Sequence, residues 1–237
     1  MIAHIGYVGS LRSRWRLAGT TAGCIGRWFV QSFVILGWLL ASGAYAESQT
    51  VQYKEYEVKA AFMYNFLKFV DWPEEKMSRS GKQIVIGIIG DDPFGPAVDI
   101  FKDKTVEDRT LVIKRFEGLQ KITEMSERDR QQKVEELKGC YLLFICPSEQ
   151  KRIREIIDIV GKDGVLTVGD TDGFIESGGA INFFLEDNKI RFDISIPAVE
   201  KAGLKIRSQL LRLAKRVIKD EQIPANDNQP SSPKEKN

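Results

Sequence analysis

Apolar positions recur along this chain at two periods, and the switches between them mark its elements. Residues 53–70, "YKEYEVKAAFMYNFLKFV", carry two stripes at helical spacing. One runs through Tyr53, Tyr56, Ala60, Met63, Leu67 and Val70, the other through Val58, Phe62, Phe66 and Phe69. Only a strip with Lys54, Glu57 and Lys68 is plainly polar. A helix apolar on nearly all sides is buried nearly all round. It does so within its own domain, or with one stripe against a second chain. Trp72-Pro73 ends it, because proline cannot continue a helix.

Beyond the helix, "QIVIGIIG" (83–90) is a short, β-branched apolar run that predicts a buried strand. "DDPFGPAVDIFKDK" predicts a loop and helix, and "TLVIKRFE" (110–117) alternates as a second strand. Residues 118–138 are highly charged and helical, with little apolar periodicity, so mostly exposed. "CYLLFIC" (140–146) and "GVLTVGD" (164–170) read as buried strands, with an amphipathic helix between them that ends at Gly161. The rhythm then changes. "AINFFLE" and "KIRFDIS" flank Asp187-Asn188, a two-residue turn, and predict an antiparallel hairpin. A last helix is expected from Pro197 to about Lys219, with Ile206, Leu210, Leu213 and Val217 on one face. Arg207, Arg212, Lys215, Arg216 and Lys219 would form its basic outer surface. Strands alternating with helices imply right-handed crossovers. The expected fold is α/β: a mainly parallel central sheet with an antiparallel C-terminal hairpin, flanked by helices.

The two ends of the chain do not join this pattern. Residues 1–46 contain no Asp or Glu and four Arg, followed by an apolar run and a small-residue end at Ala44 and Ala46. That is a secretory leader cut after Ala46. The apolar run, about residues 33–41, is too short for a span of ~20 residues. The expected organisation is a cleaved signal peptide at 1–46 and a single domain at 47–221. A disordered tail follows at 222–237, containing "PANDNQPSSPKEKN". Removing the leader turns a net charge of +2 (35 basic, 33 acidic) into −2 (31 basic, 33 acidic). Neither charge nor compartment then suits nucleic acid.

Chemistry is thin. The one histidine, His4, lies in the leader, so histidine-dependent triads and zinc sites are excluded from the exported part. Cys140 and Cys146 are separated by one strand. Six residues span about 20 Å, while a disulfide needs Cα atoms within about 7 Å. Both are expected as buried free thiols. "GIIGDDPFG" has neither GxGxxG nor GK[ST] spacing. Asp91 and Asp92 would repel an anion and read as caps. In "GDTDGFIESGG", Asp170, Asp172 and Glu176 lack the order of a calcium loop. Phe174 is either a core plug or an exposed anchor. No nucleophile–base pair stands out, and no enzyme or cofactor is expected.

Five pieces taken together resemble the YfiR-like family of exported bacterial proteins. They are "EYEVKAAFMYNFLKFVDWP", "IVIGIIGDDPFG", "CYLLFICPSE", "VLTVGDTDGFIESGGAINFFLEDNKIRFDIS" and "AGLKIRSQLLRLAKRV". The resemblance implies a single α/β domain, often a homodimer, in the periplasm. It also implies that the chain binds the periplasmic sensor part of an inner-membrane diguanylate cyclase and represses cyclic di-GMP synthesis, which restrains biofilm. On that reading the loop "TDGFIESGG" is the expected recognition surface, with Phe174 as apolar anchor and Glu176 and Arg191 for charged contacts. The alternative is a periplasmic small-ligand module without a cyclase partner, its pocket at the strand C-termini near Asp91, Asp92 and Phe94.

Overall fold

The computed structural model describes residues 54–79 and 81–219; the expected leader and tail lie outside them. Helix α1 (residues 54–69) runs into a short strand, β1 (Val70–Asp71), and a short helix, α2 (Glu74–Arg79). The strand β2 (Gln83–Ile89) follows, then two 3-10 turns at Gly95–Ala97 and Asp99–Phe101 in place of the expected helix. Next come β3 (Thr105–Val106), β4 (Arg109–Phe116), α3 (Leu119–Glu124) and α4 (Glu127–Lys138). The charged stretch divides because Ser126 caps α4, its side chain accepting from Asp129 N. The centre of the domain is completed by β5 (Leu142–Ile145), α5 (Ile153–Val160) and β6 (Leu166–Gly169).

The hairpin is formed by β7 (Ile181–Glu186) and β8 (Lys189–Ser195). Asp187 and Asn188 both adopt positive φ, the conformation a two-residue hairpin turn demands. Then come α6 (Ile196–Lys201), β9 (Lys205–Ile206), α7 (Ser208–Leu211) and β10 (Arg216–Ile218).

Eight strands form one sheet in the order β10-β8-β7-β6-β5-β2-β4-β3. All neighbours are parallel except β3 with β4 and the hairpin β7 with β8. The core has two layers. On one face α1 lies against the sheet, with Phe66 stacked on Phe183 at 5.6 Å and edge-on to Phe192 at 5.1 Å. The first stripe of α1 is buried from Tyr56 to Val70. In the second, Phe66 is buried, Phe62 and Phe69 are half-buried, and Val58 is 44% exposed. On the other face, residues of α3, α4 and α5 pack with Ile89, Leu143 and Ile145. No residue of β7, β8 or β10 belongs to that second cluster.

The expected last helix is not there. Its first turns form as α6, capped by Ser195. Gly203 then adopts φ +72°, its N–H bonds to Glu200 O, and Leu204 N bonds to Val199 O. This pair of bonds closes a helix in a Schellman stop. The chain continues as β9, pairing antiparallel with β1 through Val70↔Ile206 and Asp71↔Lys205. Arg207 locks the join by binding Asp71 and the Lys68 carbonyl. The residues expected on one helix face are dispersed: Leu210 is buried, whereas Leu213 is 59% exposed.

Candidate functional site

The loop after β6 meets the first turns of α1. Tyr56 and Lys59, three residues apart, point the same way from α1. The Tyr56 hydroxyl donates to Asp170 Oδ2 at 2.7 Å, and the Lys59 ammonium reaches the same oxygen at 2.6 Å. Both Lys59 and Asp170 side chains are only 4% exposed. Glu55, one turn before Lys59, adds a second carboxylate at 2.6 Å. Burial, reinforced by the Asp170 charge and its hydrogen bond, holds the Tyr56 phenol well above its usual range. Cys146, at the end of β5, is pushed up by burial and by nearby carboxylates, Asp92 and Asp170 among them. Cys140 is pushed up by burial to about 12. Both cysteines are free and buried. Buried protonated thiols of this kind are poor nucleophiles.

The glycine-rich segment has a mechanical explanation. Phe174 is 0% exposed and lies between Gly169 and Gly179, where a Cβ at either position would overlap its ring. Phe174 N bonds to Thr171 O, and Gly179 N to Phe174 O. The glycines therefore open a slot in the loop for an aromatic plug. The expected role of Phe174 as a surface anchor is overturned by its burial; of the two alternatives it is the core plug.

Glu176 and Arg191 do lie on the surface. Register places Asn182 opposite Asp193 and Phe184 opposite Arg191. Arg191 stands 3.9 Å from Glu186, and Phe184, across the hairpin from Arg191, is half-buried. A cleft of 400 Å³ opens there, between the loop and strands β7, β8 and β10.

At the strand C-termini, the chain leaves β2 for β4 on one side and returns to β5 on the other. Such a reversal is where open α/β sheets accept ligands. A groove of 750 Å³ lies there, lined by Asp91, Asp92, Arg115, Ser148 and Glu149 among others. Asp92 is engaged within the turn before the first 3-10 segment: its Oδ1 accepts from Phe94 N and its Oδ2 takes Arg115. Asp91 N donates to Ser148 Oγ. Phe94 does not line the groove. It is buried, edge-on to Tyr56 at 5.0 Å and to Phe144 at 4.7 Å, and so belongs to the core.

The sequence reading missed Tyr56 and Lys59. The available signal was a lysine between apolar positions of the most buried helix, with a glutamate four residues before it. Among the described residues no group of three or more His, Cys, Asp or Glu is placed to hold a metal ion. No helix among them is long and apolar enough to cross a membrane.

A twisted, mostly parallel sheet with helices on both faces and an antiparallel hairpin at one end defines an α/β domain. The YfiR/HmsC-like family, DUF4154, matches residues 56–215, and the chain belongs to that family. No curated protein matches. Among solved structures, a conserved domain protein from Vibrio cholerae O1 biovar El Tor str. N16961 is 11% identical with a TM-score of 0.43; the match covers 62% of this chain and 60% of that one. The ABC domain in complex with L-Trp from Streptococcus pneumonia is 10% identical with a TM-score of 0.42, covering 57% and 55%. The chain thus spans less than two thirds of either.

Proposed function

We propose that this protein is an exported regulator. It binds the periplasmic sensor part of an inner-membrane diguanylate cyclase and holds cyclic di-GMP synthesis down. Membership of the YfiR/HmsC-like family carries the reading. The contact surface is the hairpin and the loop before it, where the exposed Arg191 lies across from Phe184 and the exposed Glu176 shares a cleft with it. Half-buried aromatics ringed by charge are common at protein interfaces. Catalysis is not part of this role. The domain acts as a binding body, and a homodimer fits the family.

The test has two parts. Deleting the gene should raise cellular cyclic di-GMP, and the double charge reversal Glu176→Lys with Arg191→Glu should do the same. Exposed substitutions of this kind change stability by only about 0.5 kcal/mol, so melting should hardly move. Unchanged cyclic di-GMP in the deletion strain would reject the reading.

A second reading is a small-ligand module using the switch-point groove at Asp91, Asp92 and Ser148. The observation favouring it is the groove's place where strand order reverses. Mass spectrometry of small molecules released on denaturation tests it.

A further inference from the structure

The groove at the switch point is built around one carboxylate. Glu149, in the 3-10 turn after β5 (Pro147–Arg152), lines it and is only 8% exposed. Its side chain passes the end of β2 and reaches the connection from β4 to α3. Two glycines make room for it. A Cβ on Gly90 would collide with Ser148 Oγ and crowd Glu149 Cγ, and one on Gly118 would overlap Glu149 Oε1. Glu149 Oε2 accepts from Leu119 N, at the start of α3, at 3.0 Å. An anionic ligand entering here would therefore meet a carboxylate already in place. The other oxygen, Oε1, has no hydrogen-bond partner among the described residues, and no cation there pairs with Glu149. Unlike the unpartnered Asp170 Oδ1, it is not sealed from solvent. A nearly buried carboxylate oxygen without a donor is costly and uncommon in folded proteins. What it lacks is a donor, and a cationic one binds a carboxylate most strongly.

The rest of the groove carries the same sign. Five carboxylates line it against two cations, Arg115 and Lys121. Arg115 is already bound to Asp92 and Asp99. Asp91 and Glu117 are exposed at the rim, with no ion pair among the described residues. The acids are spread out rather than gathered: among the described residues no three are placed to hold a metal ion. A hard metal ion needs several oxygens in one shell, so an organic cation suits the groove better. Its head group follows from the geometry. A guanidinium fork is matched to both oxygens of a carboxylate, and here one of them is taken by Leu119 N. A compact ammonium needs only the open one. Ser148 Oγ, packed with Glu149 against Gly90, accepts from Asp91 N and retains a second lone pair.

We propose that the switch-point groove binds a small organic cation through a primary ammonium group. The ammonium donates to Glu149 Oε1 at the floor and to Ser148 Oγ beside it. Asp91 and Glu117 at the rim favour its entry. The proposal rests on the small-ligand reading above and names the chemistry of that ligand.

The experiment titrates the isotope-labelled protein with propylammonium and follows amide chemical shifts. Physiological ionic strength screens diffuse attraction between exposed charges. Propylguanidinium, 1-propanol, propionate and magnesium are titrated separately. Propylammonium should shift the amides of Gly90, Gly118, Leu119 and Glu149 to saturation, and 1-propanol should not. Propylguanidinium should bind more weakly, a comparison that needs no variant. Glu149→Gln keeps an acceptor for Leu119 N and turns an amide NH2 toward the groove. It should weaken propylammonium on the order of tenfold or more, as for one lost charge-assisted contact. Absence of shifts with propylammonium, equal shifts with 1-propanol or magnesium, tighter binding of propylguanidinium, or unchanged affinity in Glu149→Gln overturns the proposal. Shifts of these amides by propionate or 1-propanol but not by propylammonium would remove the cation and keep the small-ligand reading. Silence of every probe, with no small molecule released on denaturation, would remove both.

Discussion

Replacing Lys59 by Met gives the sharpest test of the buried hub. The substitution keeps the length and apolar stem of the side chain and removes only the ammonium. Asp170, 4% exposed, then loses its cation and keeps only the Tyr56 hydroxyl. Breaking a buried ion pair from one side typically costs ~3–5 kcal/mol, because a charge is left without compensation. In a domain of this size 1 kcal/mol moves Tm by roughly 2–4 °C, so the expected drop is roughly 6–20 °C. Asp170→Asn should cost less. The amide oxygen still accepts from Tyr56, and Lys59 retains Glu55 at 2.6 Å. Its cost falls in the range of one lost charge-assisted bond, about 1.5–3 kcal/mol. Urea unfolding followed by circular dichroism gives both numbers. The pair Lys59→Met/Asp170→Leu should recover part of the loss, since two apolar groups can replace a buried pair. A Lys59→Met cost below about 1 kcal/mol, or one no larger than that of Asp170→Asn, would refute the burial and the asymmetry on which this argument rests.

Three further outcomes follow from the same packing. Phe174→Ala should cost ~3–5 kcal/mol by emptying the slot between Gly169 and Gly179, whereas normal melting in thermal denaturation would show that the ring is not a plug. Cys140 and Cys146 should be silent to a thiol reagent at pH 8 in the folded protein and give two thiols in denaturant, because both are buried and Cys140 is pushed up to about 12; fast labelling without denaturant would contradict their burial. Lys76 is pushed down by burial to about 8. The unfolded chain therefore binds more protons than the folded one between about pH 8 and 10.5, and stability rises with pH across that window by at most about 1.4 kcal/mol per unit. Unfolding free energies of wild type and Lys76→Met, compared at pH 7.5 and 9.5, should differ in slope by this contribution, and parallel slopes would argue against it.

Local pattern made the sheet legible. Residues 83–90 and 140–146 are uninterrupted apolar runs, and Asp187-Asn188 is a turn pair whose meaning needs no distant partner. The helix expected at 197–219 was misread because Ile206, Leu210, Leu213 and Val217 keep helical spacing while the chain is held by other means. Gly203 stops α6, and β1, 136 residues earlier in the register Val70↔Ile206, captures the segment as a strand. Among the site residues, Glu176 and Arg191 are exposed. Phe174 was not decidable from sequence, since its slot depends on Gly169 and Gly179 approaching the ring from two sides. The Tyr56–Lys59–Asp170 hub was invisible for the same reason: Lys59 and Asp170 are 111 residues apart, and neither looks unusual in its own neighbourhood.

That separation has a consequence for how the chain can reach its native state. Helix α1 is the first described element to be made, and its Lys59 has its buried partner only when Asp170 arrives. Its end is closed by β9, which comes later still. A chain that emerges N-terminus first must therefore hold an aromatic-rich helix without its cover until nearly the whole domain has been delivered. Long-range closures of this kind slow folding and leave apolar surface open to aggregation. The domain should consequently need a holding chaperone during its delivery, and a truncation removing β9 and β10 should leave α1 undocked although every residue of the helix is present.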